Sequence, residues 1–205
     1  MRIQFYLLNL CKNKDLKILL IDNYDSFTYN IVELLRQLNY PNPTILKNDE
    51  ISIEHASQFD KIIISPGPAT PSASGNIIDI IRALAPTHAI LGICLGHQAI
   101  AESLGAQLIN LAHPYHGYQT EIKLCQTHSL FDGICDSTNK MTVGLYHSWV
   151  VDENDFPTEL EITSRSTENY IMSFKHKIYD VHGIQFHPES YMTLHGKELL
   201  ANWLK

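Results

Sequence analysis

Three short apolar runs limit how this chain can fold more than any other feature: Ile18-Leu19-Leu20-Ile21, Ile62-Ile63-Ile64 after Lys61, and Ala89-Ile90-Leu91-Gly92-Ile93 after His88. A strand with one face in water alternates polar and apolar side chains. These runs have no polar member, which is the pattern of strands buried on both faces in a parallel sheet. Segments of helical period lie between them. Ile31, Leu34, Leu35 and Leu38 share one apolar face, with Asp25 or Ser26 placed to cap it and Pro41 and Pro43 beyond its end. Ile77 to Leu84 reads as a further helix and Thr44-Ile45-Leu46 as a weaker strand. The order β-α-β-β-α-β-α predicts a three-layer α/β fold, a central, mostly parallel, doubly wound sheet flanked by helices.

Beyond Gln107 the pattern changes. Thr120 to Leu124, Met141 to Leu145, Leu160 to Ser164, Ile171 to Phe174 and Tyr179 to Gln185 are short strand-like segments, expected to form a smaller mixed or antiparallel region before a last helix from Thr193 to Leu204. With 205 residues and 44% hydrophobic content, the chain holds one well-cored domain, expected over residues 17–205. Residues 1–16 read as an N-terminal extension. Their apolar stretch from Ile3 to Leu10, interrupted by Gln4 and Asn9, is too short and polar to cross a bilayer, and no small-residue cleavage site follows.

A formal charge of −7 without a basic cluster argues against nucleic acid and anionic membrane surfaces, both of which need positive patches. Cys11, Cys94, Cys125 and Cys135 show no Cys-x-x-Cys spacing, so neither a disulfide framework nor a zinc knuckle is expected, and a reducing, cytoplasmic setting fits. The eleven histidines include no His-x-x-x-His pair with an acidic third ligand, so no metal site is expected.

The chemistry gathers at Gly92-Ile93-Cys94-Leu95-Gly96-His97-Gln98. A strand ends in a cysteine between two glycines, and Gln98 to Leu104 reads as helix, so Cys94 stands at a strand–turn–helix elbow. Glycine tolerates the unusual backbone angles and close approach of such a turn, and a helix N-terminus favours thiolate over thiol. The alternative is an inert buried cysteine. The loop Ser65-Pro66-Gly67-Pro68 closes another strand at its C-terminal end, where open α/β sheets bind ligands. Near the C-terminus stands Gly183-Ile184-Gln185-Phe186-His187-Pro188-Glu189-Ser190. In an extended segment His187 and Glu189 share a face, so the carboxylate can orient the imidazole, and a base 93 positions from its nucleophile accords with partners that meet in space rather than in sequence. His97, His113, His116, His147 and His195 lack such an acidic neighbour and read as structural or pocket-lining.

Four motifs in order, Ser65-Pro66-Gly67-Pro68, Gly92 to Gln98, Tyr146-His147-Ser148 and Phe186 to Ser190, resemble the class I, triad-type glutamine amidotransferases over nearly all of Lys17 to Lys205. Ile21 to Asn30 is similar to the corresponding stretch of the glutaminase subunits of anthranilate synthase and aminodeoxychorismate synthase. The resemblance implies a Cys94, His187 and Glu189 triad that hydrolyses L-glutamine. It implies an oxyanion hole from the Gly67 and Leu95 N–H groups, and a glutamine pocket from Pro66, Gly67, Pro68, Gln98, Ser148 and Trp149. It further implies ammonia transfer to a large, chorismate-binding synthase subunit, with no cofactor in this chain and Mg2+ in that partner. The loop Asn23 to Thr28 is the expected partner surface. Ala69 where glycine is usual, Trp149 where leucine is usual and Tyr118 where a basic residue is usual depart from the family pattern. A stand-alone γ-glutamyl peptidase and a non-catalytic binding module remain as readings of another class.

Overall fold

A computed structural model describes residues 16–205; Cys11 and all but the last residue of the expected extension lie outside them. The first half is a strict βα alternation: β1 (Ile18–Asp22), α1 (Thr28–Gln37), β2 (Thr44–Lys47), α2 (Ile53–Ala56), β3 (Lys61–Ile64), α3 (Ile77–Leu84), β4 (Ala89–Ile93) and α4 (Leu95–Ser103). Where a direct β2-to-β3 connection was expected, α2 intervenes. It is a single turn capped by Ser52, whose side chain accepts the His55 N–H, and so short a helix has no period to read. The α1 cap also differs from expectation. Phe27 occupies the N-cap without a side-chain bond, and Asp25 instead accepts the Phe27 N–H at 2.8 Å, one residue before the helix.

The second half adds β5 (Leu108–Asn110), β6 (Tyr118–Leu124), β7 (Lys140–Leu145), β8 (Trp149–Val151), β9 (Leu160–Ser166), β10 (Ile171–His176), β11 (Val181–Ile184) and α5 (Gly196–Leu204). One nine-stranded sheet runs β2-β1-β3-β4-β11-β10-β9-β6-β7, and β5 pairs with β8 in a separate ribbon. The expected mixed region is therefore mostly a continuation of the main sheet. Its last strand departs most: β11 lies parallel to β4, with Gly183 beside Gly92 and Ile184 beside Ile93, and turns antiparallel only toward β10. The last helix begins at Gly196 rather than Thr193, because Thr193 is held by other bonds, its hydroxyl donating to the His187 carbonyl and accepting the Gly144 N–H.

Both sheet faces are covered. Leu20, Ile63, Leu91 and Ile93 pack with Ile31 and Leu35 of α1 and Leu199, Leu200 and Trp203 of α5. Leu19, Ile21, Ile62, Ile64 and Ile90 pack with Ile77, Ile80 and Ile81 of α3 and Ala99 and Ile100 of α4. Successive residues of one strand thus enter opposite cores, which is why the runs carry no polar member. Each fully buried Leu or Ile contributes roughly 1.5–3 kcal/mol.

Candidate active site

The site forms where the parallel strands end. Immediately after β4, Cys94 adopts φ +52° and ψ −99°, a sparsely populated conformation for a residue with a side chain, and α4 begins at Leu95 without a linker. The unusual angles fall on the cysteine alone, since neither flanking glycine has a positive φ. Those glycines serve close approach: a Cβ on Gly92 would lie 2.3 Å from the Gly96 carbonyl oxygen, and one on Gly96 2.5 Å from that of Ile64.

His187 Nδ1 lies 2.7 Å from Glu189 Oε1, both side chains buried. A carboxylate only accepts, so Nδ1 keeps its proton in either state of the ring, and when the ring is neutral Nε2 carries the lone pair. Nε2 makes no hydrogen bond of good geometry, and Cys94 joins Glu189 in drawing the ring toward its charged form. Burial alone would push His187 down, but Glu189 and Cys94 outweigh it and hold the imidazole well above its ordinary value. The pairing does not come from extended backbone. Past Ile184 the chain bends, and the Ser190 N–H bonds the His187 carbonyl at 3.2 Å, closing a turn with Pro188 at its second position.

Gly67 and Leu95 come together: a Cβ on Gly67 would sit 3.1 Å from Leu95 Cδ1 and 2.7 Å from Asn23 Cβ. Leu95, first in its helix, carries an N–H without an intrahelical acceptor. Asn23 ties this loop to β1, its N–H donating to Ser65 Oγ at 2.9 Å and its side-chain amide to the Ser65 carbonyl at 2.8 Å. Pro66 is buried behind the loop and Pro68 exposed at its rim. Gln98 Nε2 donates to the Trp149 carbonyl at 2.9 Å, and that oxygen also accepts His147 Nδ1 at 3.1 Å. The Ser148 carbonyl accepts the Leu111 N–H at 2.7 Å. The structure therefore gathers Cys94, His187, Glu189, Gly67, Leu95, Gln98, Ser148 and Trp149 around the sheet's C-terminal edge.

A family model described as glutamine amidotransferase class-I matches residues 19–205. The chain belongs to this family. It is 41% identical over 190 residues to anthranilate synthase component 2 of Porphyra purpurea, covering 91% of this chain and 98% of that one. It is 40% identical over 189 residues to aminodeoxychorismate synthase component 2 of Klebsiella aerogenes, with the same shares covered. The crystal structure of a Thermoplasma acidophilum protein assigned to GMP synthase superposes with a TM-score of 0.80 at 26% identity over 92% of both chains. The chain is accordingly an enzyme, a glutamine amidotransferase.

In this amidotransferase Phe27, Tyr146 and Gln185, which the sequence reading gave no catalytic role, complete the site. Phe27 and Tyr146 pack on the His187 ring, with centroids at 5.7 Å and 5.0 Å, and on each other at 5.1 Å. Gln185, fully buried, donates from Nε2 to Cys94 Sγ at 3.6 Å. Its place two residues before His187 was the one signal in the sequence. His97 is enclosed and packs tilted against Phe174 with centroids 4.4 Å apart, and burial drives it down to about 3; burial likewise drives His147 to about 4, so both are neutral. Ala69 is exposed without a positive φ, so its methyl strains nothing. Trp149 lines a 450 Å³ cavity with Thr70, Ile78 and Leu108, and Tyr118 is exposed beside Tyr115. Among the described residues no group of three or more His, Cys, Asp or Glu is placed to hold a metal, and no helix is long and apolar enough to cross a membrane.

Proposed function

We propose that this chain is the cytoplasmic glutaminase subunit of a chorismate-using synthase, with anthranilate as the product of the assembled enzyme. Cys94 Sγ attacks the side-chain amide carbon of L-glutamine. His187 Nε2 takes the thiol proton and returns it to the departing ammonia, and water then releases glutamate from the thioester through the same imidazole. Glu189 keeps the ring in the required tautomer. The Gly67 and Leu95 N–H groups receive the developing oxyanion, one such donor being worth roughly 3 kcal/mol of barrier. Pro66, Gly67, Pro68, Gln98 and the Ser148-Trp149 backbone hold the amino acid end of glutamine. With both Gln98 N–H groups engaged, its Oε1 is suited to the substrate ammonium. The chain needs no cofactor for these steps, and Mg2+ belongs to the partner.

The observation that carries this reading is the His187–Glu189 pair at 2.7 Å, with the opposite ring nitrogen making no hydrogen bond of good geometry and Cys94 joining Glu189 in drawing the ring toward its charged form. Ammonia would reach the large synthase chain over the surface around Asn23 to Thr28, where Tyr24 and Tyr29 are exposed and Phe27 reaches the His187 ring. The deciding experiment uses Cys94→Ser in the complex with its synthase: glutamine-dependent product formation is lost while synthesis from ammonium persists. Loss of both alike overturns the division of labour. Pairing the chain with each large subunit in turn separates anthranilate from aminodeoxychorismate, the reading equally supported by similarity.

A further inference from the structure

Gln185 is enclosed beneath the nucleophile with no exposed surface, so its amide must satisfy itself within the protein. Which end faces the sulfur follows from a chain of bonds anchored on backbone. The Trp149 carbonyl can only accept, so Gln98 must present its NH2 group there, at 2.9 Å. The second hydrogen of that NH2 points to Gln185 at 3.2 Å, which fixes the Gln185 oxygen on that side. Its own NH2 is thereby turned toward Cys94 Sγ, 3.6 Å away. The donor direction runs from a fixed carbonyl through two amides to the sulfur.

We infer that Gln185 is a further catalytic residue, whose side-chain N–H holds the Cys94 sulfur in its anionic form and aims it, while its oxygen sets Gln98 in the glutamine pocket. An N–H donor is of little use to a neutral thiol and considerable use to a thiolate, so the bond favours the reactive form without adding charge that would compete with His187. It also links pocket to nucleophile: a substrate that moves Gln98 changes how Gln185 meets the sulfur. The titratable groups around this point are His187, with Glu189 and Asp25 acting on it, and His97 and His147, the latter two held neutral by burial. Gln185 is thus the uncharged donor in a surround dominated by one imidazole. This inference rests on Cys94 as the nucleophile, yet its test needs no glutamine.

The test is the pH dependence of Cys94 alkylation by iodoacetamide in the intact chain, with Cys11, Cys125 and Cys135 resolved by mass spectrometry. Gln185→Met keeps the volume and removes the donor. The alkylation rate at pH 7 is expected to fall about tenfold, with the half-maximal rate displaced to higher pH and the limiting rate at high pH unchanged. Gln185→Glu is expected to displace it further in the same direction. A Gln185→Met profile that superposes on the wild type in a folded protein overturns the inference. Should that variant not fold, the side-chain amide resonance of Gln185 in the wild-type chain decides: it moves when Cys94 is alkylated if the bond exists, and an unmoved resonance overturns the inference. If instead Cys94→Ser keeps glutaminase activity, the functional reading fails while the alkylation result stands on its own.

Discussion

The Cys94 N–H donates to the Ile184 carbonyl at 2.8 Å. This bond continues the parallel β4–β11 pairing past the end of β4 and brings the far end of the chain alongside Cys94. His187 follows Ile184 by one bend, so strand register, rather than any local motif, sets where the imidazole meets the thiol.

Register here depends on small residues. Gly92→Ala places a methyl 2.3 Å from the Gly96 carbonyl oxygen, backbone that cannot swing aside. A loss of about 1–3 kcal/mol in urea unfolding is expected, with alkylation of Cys94 altered before the transition. An unchanged midpoint would show that α4 can lift away from β4 freely.

Glu189→Gln keeps the shape and removes the charge that raises His187. The expected loss in glutaminase kcat is about a hundredfold or more, with KM for glutamine changed far less, because orientation and charge serve the reacting groups rather than substrate binding. Steady-state kinetics with the synthase bound distinguishes the two parameters.

Phe27→Ala removes the ring packed on His187 from the loop before α1. A fall of about tenfold in kcat is expected from a less firmly held imidazole. Phe27→Tyr, which keeps the ring, should restore most of it.

The buried neutral histidines predict acid sensitivity. His97 and His147 are lowered to about 3 and about 4 when folded and titrate near 6.5 when unfolded. The unfolded state therefore binds more protons, and stability present above pH 6.5 is lost as pH falls toward 4, by up to about 1.4 kcal/mol per pH unit for each ring. His187, raised, has the opposite sign: its contribution is complete below 6.5 and is lost only as pH rises through its folded value. Urea midpoints between pH 6.5 and 5 should thus fall with acid, and less steeply in His97→Leu. A flat profile there would mean that the rings protonate without unfolding.

The central strands, the elbow and the His187–Glu189 pairing were legible because each is written locally, as an unbroken apolar run, a cysteine between glycines and a carboxylate two residues from an imidazole, although that pair meets through a turn and not through the extended backbone expected. The short α2, and the β5–β8 ribbon that shapes the Trp149 side of the pocket, were not, since elements of three or four residues carry no period. Gln185 lay in view beside His187, but nothing in its own segment shows that it bridges Gln98 and Cys94.

By itself, then, the order of residues determined a buried parallel sheet, a cysteine at a strand–helix bend, and a histidine with a carboxylate two positions on; that a turn rather than extended backbone joins that pair was left to the structure. Only the tertiary structure decided that β11 runs parallel to β4 instead of joining an antiparallel outlying region. The reason is physical: side-chain pattern tells which faces a strand buries, whereas its neighbour and direction depend on contacts nearly a hundred residues apart in sequence, and these alone bring His187 and Gln185 to the sulfur.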